Sequence, residues 1–232
     1  MQSLQFFRGF SGTVMSYVYV GLLWLARTLR LIKVTNLEAA QAAIERGNVL
    51  FIVNHPSLLE TIALPALFGP YPWQEKTRHV PYSVADINLF PEKWQQAFRL
   101  VVVSRDETDE AKRVNDLASK RLIRIFKRER GVVIFYPEGG RTFKGTEFIT
   151  DRERIVRIPR TELVSLAARI GAEIIPVWAE HGDCSKERSL LLSYFMLFTG
   201  RQMTLHFGRP LVGEVTETSI AQALLRAGRE SG

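Results

Sequence analysis

The chain has 232 residues, of which 46% are hydrophobic, and it carries a formal net charge of +7 at pH 7. This length is enough to bury one substantial core, and no internal repeat, low-complexity tract or linker rich in proline or glycine divides the sequence. The single cysteine, Cys184, excludes an intrachain disulfide and any zinc site built from several cysteines. The composition therefore predicts one domain with an appendage.

The first notable segment is uncharged: residues 9–26 lie between Arg8 and Arg27. About 18 residues is the lower limit for a helix that spans a bilayer, and apolar side chains recur in this segment at helical spacing, as in an interfacial helix. We therefore predict an N-terminal, membrane-anchoring helical segment over residues 1–35 and the main domain over residues 36–232. An ordinary buried core helix is the alternative.

A histidine and an acid follow the first clear strand. The apolar run Val49–Val53 predicts a buried strand, and residues 57–67 predict a helix. His55 and Glu60 are five positions apart, so in an unbroken helix their side chains would point about 140° apart. They can meet if Pro56 begins the helix, because proline suits the first helical position. A neutral imidazole can then take a proton from a hydroxyl while the carboxylate orients it; a histidine that only caps the helix is the alternative.

The next elements are two strands and a basic helix. Strands are predicted at residues 79–84 and 100–103, and Arg105 follows the second. An amphipathic helix is predicted between residues 111 and 130, where eight basic and two acidic residues give a charge of +6, nearly the whole net charge. Such a face is usually only solvated, but it can also attract anionic headgroups. No recognised binding motif accompanies it, so nucleic acid is not an expected partner.

A glycine-rich turn follows the apolar run at residues 132–136, which predicts another strand. The turn reads Pro137-Glu138-Gly139-Gly140-Arg141, with Lys144 close behind. Paired glycines allow the backbone to approach an anion, and the two cations add positive charge. Taken alone, the segment is more typical of an ordinary loop.

The remaining pattern alternates strands and helices. Strands are predicted at residues 174–178 and 203–207, and helices at residues 161–170 and 221–228. This alternation predicts an α/β fold with a mostly parallel sheet flanked by helices. In such a sheet His55, Arg105 and Glu138 gather at the carboxyl ends of the strands.

Four of these motifs, in this order, resemble those of the lysophosphatidate (1-acylglycerol-3-phosphate) acyltransferase family of membrane glycerolipid enzymes. The resemblance covers residues 49–211. The family's motifs are a histidine and an acid separated by four residues, an arginine after a short strand, a proline-glutamate-glycine turn ending in arginine, and a proline inside an apolar strand. They match His55 with Glu60, Arg105, Pro137 to Arg141, and Pro176.

The resemblance implies that a fatty acyl group moves from acyl-CoA or acyl carrier protein to a hydroxyl of a lysophospholipid, most simply 1-acylglycerol-3-phosphate, giving phosphatidate. His55 would remove the proton from the acceptor hydroxyl, and Glu60 would orient His55. The acceptor would be bound by Arg105, Arg141, the backbone at Gly139 and Gly140, and Glu138, which bonds a glycerol hydroxyl or braces Arg141. Asn54 and Ser57 are expected to hold the turn. No metal or other cofactor is expected.

Three departures from the family bear on specificity. Glu60 stands where the family usually has aspartate, Gly140 where it usually has threonine, and Asp86 where many relatives have lysine. The last two changes leave a non-glycerolipid hydroxyl open as the acceptor. A non-catalytic, membrane-binding relative is a further alternative. Cys184 lacks any local motif for an acyl-carrying nucleophile.

The resemblance also implies partners and a location. Membrane lipids and the thioester donor are the expected partners, and the basic helix could attract the phosphates of coenzyme A or an acidic carrier protein. Because such thioesters occur in the cytoplasm, we expect a membrane-associated protein at the cytoplasmic face of the inner or plasma membrane. His79, His181 and His206 lie in or beside apolar runs and are expected to be structural.

Overall fold

A computed structural model describes residue 21 and residues 24–26, 28–68, 80–89, 95, 99–181 and 202–231. The strands in these ranges are β1 (Ile32–Thr35), β2 (Val49–Val53), β3 (Tyr82–Asp86), β4 (Leu100–Val103), β5 (Val132–Phe135), β6 (Phe148–Asp151), β7 (Arg154–Arg157), β8 (Glu173–His181) and β9 (Met203–Phe207). The helices are α1 (Leu37–Arg46), α2 (Glu60–Leu67), α3 (Asp109–Arg124), α4 (Glu162–Arg169) and α5 (Glu217–Glu230).

Seven strands form one sheet in the order β1-β9-β8-β2-β5-β3-β4, and β6 pairs with β7 in a separate hairpin. Neighbouring strands of the main sheet are parallel except for β8 and β9, which are antiparallel. All five residues of β2 are buried, as expected for a central parallel strand covered on both faces. The predicted α/β class with a mostly parallel sheet flanked by helices is confirmed.

The core lies in two layers, one on each face of this sheet. Alternate residues of β2 point to opposite faces, so Phe51 belongs to one buried cluster and Leu50 to the other. Phe51 stacks on Phe68 with ring centroids 5.3 Å apart and meets Phe207 edge-on at 5.5 Å. Leu224 of α5 belongs to the opposite layer. Helices therefore cover both faces of the sheet and hold its strands, and with them the strand ends where the candidate residues lie, in place.

Most predicted elements are confirmed, with shifts at their ends. The strands at Val49–Val53, Leu100–Val103 and Met203–Phe207 match their predicted bounds. The C-terminal helix begins earlier than predicted because Thr216 caps it: its hydroxyl accepts from Ser219 N–H at 3.0 Å, and the Ser219 hydroxyl accepts from Thr216 N–H at 2.8 Å. The basic helix begins at Asp109 and, after Arg124, continues as a π-helical turn.

Three elements were not predicted: β1, α1 and the β6–β7 hairpin. Ile32–Thr35 was assigned to the N-terminal anchoring segment, but it pairs in parallel with Met203–Phe207 and is a strand of the main sheet. Apart from residues 21 and 24–26, the uncharged segment at 9–26 lies outside the described residues, as does His79. In the part of the chain that the structure describes, no helix has the length and apolar character needed to cross a membrane. The N-terminal anchor is therefore unsupported and stays a prediction.

Candidate active site

The predicted site residues follow neighbouring strands at one edge of the sheet. His55 follows β2, Glu138 follows β5, Asp86 ends β3 and Arg105 follows β4. In the sheet these strands are adjacent in the order β2-β5-β3-β4, and all three pairings are parallel. Parallel strands bring their carboxyl ends to one edge, where ligands bind in open α/β sheets. The fold thus assembles this edge from segments distant in sequence.

His55 and Glu60 meet, as predicted. The His55 Nδ1 atom lies 2.6 Å from Glu60 Oε1; the histidine side chain is 15% exposed and the glutamate side chain is fully buried. A carboxylate only accepts hydrogen bonds, so the proton in this contact belongs to Nδ1. This leaves Nε2 as the basic nitrogen, in a ring that solvent and substrate can reach. The arrangement suits a general base.

The way in which they meet differs from the prediction. The helix begins at Glu60 rather than Pro56, because Ser57 makes local hydrogen bonds that replace a helical turn. Its hydroxyl accepts from Leu59 N–H at 2.9 Å and donates to Glu60 Oε2 at 2.6 Å, and its own N–H donates to Glu60 Oε1 at 3.2 Å. These donors offset the cost of burying the carboxylate. Ser57 holds the turn, and its hydroxyl is committed to Glu60.

Two further residues fix the His55 segment. The side-chain amide of Asn54 donates to the Ala179 carbonyl at 2.8 Å and accepts from Ala179 N–H at 2.6 Å, joining the end of β2 to β8. The ring of Tyr136 lies 4.8 Å from the His55 ring, and its hydroxyl donates to the Glu60 carbonyl at 3.3 Å. Burial, with the charge of Glu60, raises the pKa of Tyr136 well above its usual value. The sequence analysis placed Tyr136 in a strand and missed this contact.

Glu138 is buried and makes three hydrogen bonds to the protein. One oxygen accepts from His55 N–H and from the Thr142 hydroxyl, each at 2.9 Å, and the other accepts from Arg157 N–H at 3.0 Å. Burial raises the pKa of Glu138, and these hydrogen bonds partly oppose the shift. These contacts favour a bracing role for Glu138, directed at the backbone of His55 and of β7 instead of at Arg141. A bond to a glycerol hydroxyl stays a prediction.

The glycine turn lies against two arginines that the sequence analysis missed. Gly139 has φ of +64°, and its N–H donates to the Tyr136 carbonyl at 3.1 Å, so this donor closes the turn. A Cβ atom at Gly139 would lie 3.2 Å from Nε of Arg160, and one at Gly140 would lie 3.2 Å from Nη1 of Arg157. The segment Arg-Ile-Pro-Arg at 157–160, with two cations close together beside a proline, was the feature of the sequence that could have indicated a second group of cations.

The two remaining predicted arginines lie in different surroundings. The Arg141 guanidinium lies over the Phe143 ring, 4.8 Å from its centroid. Arg105 is paired with Asp86, with Nε and Oδ2 at 2.8 Å; the arginine side chain is 43% exposed and the aspartate 10%. The second Asp86 oxygen accepts from Asn88 N–H at 2.9 Å. Neighbouring strands are about 4.8 Å apart, so β4, three positions from β2 in the sheet, is about 14 Å from it. Arg105 thus lies at a different part of the edge from His55.

The other two described histidines lie on β8 and β9, outside the four strands that carry these residues. His206 of β9 bonds across to β1, with its Nδ1 atom 2.6 Å from the Thr35 hydroxyl; burial lowers its pKa. His181 is buried at the end of β8. Among the residues that the structure describes, no group of three or more histidine, cysteine, aspartate or glutamate side chains could hold a metal ion.

This geometry agrees with a family comparison. The model of the Acyltransferase family matches residues 31–180, well over half of the chain. The chain therefore belongs to the Acyltransferase family, which contains the lysophosphatidate acyltransferases, and its reaction class is acyl transfer. No curated protein matches the chain.

Proposed function

We propose that this protein transfers a fatty acyl group from a thioester donor to a hydroxyl of a lysophospholipid, with 1-acylglycerol-3-phosphate as the acceptor and phosphatidate as the product. The observation that carries the proposal is the pairing of His55 with buried Glu60, one strand away from a glycine turn bordered by arginines. A base for a hydroxyl and cations for a phosphate are the two groups that such an acceptor needs.

In the proposed mechanism His55 acts through Nε2. This atom takes the proton from the acceptor hydroxyl as the oxygen attacks the thioester carbonyl and forms the ester C–O bond. The C–S bond breaks, and the proton held by His55 passes to the departing thiolate. Glu60 lies 2.6 Å from Nδ1 and stabilises the imidazolium that exists between the two transfers. Acid–base help of this kind contributes about 10²- to 10⁴-fold in rate.

The acceptor phosphate is assigned to Arg141, Arg157 and Arg160 around the turn at Gly139 and Gly140. Guanidinium groups bind phosphate oxygens in pairs of hydrogen bonds. The two glycines leave room for a phosphate beside Arg157 and Arg160, because a side chain at either position would meet those guanidinium groups at 3.2 Å. Arg105 lies farther along the edge of the sheet and is assigned to a part of the acceptor distant from the phosphate.

The donor and the setting belong to the same proposal. Either acyl-CoA or acyl carrier protein supplies the thioester, at the cytoplasmic face of the inner or plasma membrane, and membrane lipids supply the acceptor. The exposed basic residues of α3 support an anionic donor, either the phosphates of coenzyme A or an acidic carrier protein; they are Lys112, Arg113, Lys120, Arg121 and Arg124.

Replacing Arg157 tests the phosphate assignment. Arg157→Met keeps most of the aliphatic stem, which packs beside Gly145, and keeps the backbone bond to Glu138, but it removes the cation. Hydrogen bonds to charged groups are worth about 1.5–3 kcal/mol, so KM for 1-acylglycerol-3-phosphate should rise about 10- to 100-fold. Arg169→Met, which removes an exposed cation from the end of α4, is the matched control. An unchanged KM in Arg157→Met contradicts the assignment.

A second acceptor class has one observation in its favour, the pairing of Asp86 with Arg105. A cation balanced by a carboxylate attracts a phosphate dianion less than an unpaired cation does. If Arg105 contacts the acceptor phosphate, Asp86→Asn should lower KM for the phosphorylated acceptor about threefold or more and leave KM for neutral hydroxyl acceptors unchanged. If Asp86→Asn changes KM only for neutral hydroxyl acceptors, Arg105 binds a non-glycerolipid substrate.

A further inference from the structure

The β6–β7 hairpin has one face on the domain and one face turned outward. The antiparallel register places Ile149 opposite Val156; Val156 belongs to the buried cluster that contains residues of α5, and partly buried Ile149 packs against that cluster. Asp151 on the same side pairs with Arg229 of α5. Alternate residues point the other way, and Phe148, Thr150 and Ile155 are exposed. The hairpin thus rests on α5 and presents its outer face to the surroundings.

Large apolar side chains on that face continue onto the turn beside the active site. Phe143, Phe148 and Ile155, called the apolar strip below, are 36%, 38% and 40% exposed. The edge of the Phe148 ring lies 3.2 Å from where a Cβ atom at Gly145 would be, so this ring covers the turn that carries Phe143. Single exposed apolar residues are ordinary on protein surfaces, whereas neighbouring ones indicate a contact surface.

Cations accompany the apolar strip. Arg141 lies over the Phe143 ring, Lys144 is exposed in the same turn, and Arg157 is opposite Phe148 in the hairpin. Residues 141–157 contain five basic and three acidic residues, a net charge of +2. Of the acidic ones, Asp151 is paired with Arg229, and Glu147 and Glu153 are exposed. Aromatic rings beside cations suit the headgroup region of an anionic bilayer.

The apolar strip is connected to the catalytic base through two hydrogen bonds. Arg157 N–H, at the end of β7, donates to one oxygen of Glu138, and His55 N–H donates to the other. A lipid acceptor must leave the bilayer to reach His55. A bilayer that contacts the apolar strip would lie beside the edge of the sheet that carries His55. We propose that the outer face of the β6–β7 hairpin and the turn at Phe143 dock on an anionic lipid bilayer, from which the acceptor enters the site.

The docking surface is distinct from the N-terminal segment and from the basic face of α3. The evidence for docking is the apolar strip and its cations, and it does not depend on the reaction. The entry of an acceptor lipid from the bilayer rests on the proposed function. A bilayer is favoured over a second copy of the chain or an acidic protein because the apolar residues border the active site, where a protein partner would obstruct access to His55.

A reporter on the hairpin tests the docking without measuring activity. In the full chain with Cys184→Ser, an environment-sensitive fluorophore is attached at Thr150→Cys, which lies on the outer face and retains Phe148 and Ile155. A matched reporter is attached at Val212→Cys; Val212 is highly exposed and follows Leu211, whose N–H bonds the Ile174 carbonyl at the opposite end of the sheet. Vesicles contain either neutral lipid or about one third anionic lipid.

With anionic vesicles, emission at position 150 should increase about twofold and shift to the blue, brominated lipids should quench it, and high salt should reverse it. Emission at position 212 should not change. The proposal is overturned if the protein sediments with vesicles while the reporter at 150 stays unaffected. It is also overturned if that reporter becomes shielded with rising protein concentration in the absence of lipid, which would indicate a second copy.

A kinetic comparison separates this proposal from the proposed function. Replacing Phe148 and Ile155 together with serine, which leaves Phe143 in place beneath Arg141, should raise the apparent KM about tenfold when the acceptor is presented in anionic vesicles. Turnover of the same acceptor dispersed in detergent should stay within about twofold of wild type, as should turnover in Val212→Ser. Equal loss in vesicles and detergent contradicts docking by the apolar strip. Absence of activity on any lysophospholipid contradicts the proposed function and leaves the fluorescence result to decide the docking.

Discussion

Replacing His55 with alanine should lower kcat about 10³-fold or more, because the variant has no group at this position to take the acceptor's proton. Glu60→Gln should lower kcat about 10²-fold, since the amide keeps the shape of the side chain but cannot stabilise an imidazolium as a carboxylate does. Steady-state kinetics with a saturating thioester donor measure both effects. KM for the acceptor should change little in either variant, because neither group is assigned to binding the phosphate.

Folding controls make this result interpretable. The His55 side chain is partly exposed, so His55→Ala should unfold within a few degrees of wild type, whereas Glu60 is fully buried and its variant needs a thermal melt beside each rate. If His55→Ala, correctly folded, keeps more than about a tenth of the wild-type rate, proton transfer does not depend on His55 and the assigned mechanism is wrong.

Glu138→Ala should produce the largest loss of stability among the site variants. It removes the acceptor for the N–H groups of His55 and Arg157 and for the Thr142 hydroxyl, and the carboxylate that accepts these bonds is buried. Leaving such donors unsatisfied costs about 2–5 kcal/mol, and a domain of this size loses about 2–4 °C in Tm per kcal/mol. A fall in Tm of about 5–15 °C by calorimetry is therefore expected.

Comparing the stability of the wild type with that of Glu138→Gln as a function of pH provides a second measurement. The pKa of Glu138 is raised above its usual 4.5, so its protonated form is favoured by folding. The stability that this preference contributes is present below the unfolded-state pKa and is lost as pH rises through the folded-state value. Relative to Glu138→Gln, which does not titrate, the wild type should lose stability as pH rises from about 4.5 through that window. A relative gain over the same range would mean that the bonds to the ionised carboxylate outweigh its burial.

Spacing along the chain predicted the central contact of the site but not the local structure that produces it. The separation of His55 from Glu60, with Pro56 between them, correctly indicated that the histidine lies outside the helix. The rule that proline favours the first helical position then placed the helix start too early. Ser57 decides the outcome, because its hydroxyl bonds to Leu59 and Glu60 compete with the helical turn. That competition depends on the buried carboxylate and so on the tertiary fold.

Other features could not be read from local patterns. The strands β6 and β7 have four residues each, and each contains only two consecutive apolar residues beside polar or charged ones, so no long apolar run marks them. As a result Arg157 and Arg160 were missed as neighbours of the glycine turn. Asp86 and Arg105 meet because β3 and β4 pair in register, with Asp86 opposite Val103. The departures at Gly140 and Asp86 were visible in the sequence, whereas their contacts with Arg157 and Arg105 were not.

The most direct test of the central claim is identification of the product by mass spectrometry. The purified wild-type protein and His55→Ala are each given acyl-CoA or acyl carrier protein with 1-acylglycerol-3-phosphate, other lysolipids and lipid-free hydroxyl compounds. We expect the wild type, but not the variant, to form phosphatidate from 1-acylglycerol-3-phosphate. Product from a different acceptor alone would contradict the assigned substrate, and phosphatidate formed equally by His55→Ala would contradict the assigned base. No product from any acceptor would contradict the proposed function as a whole.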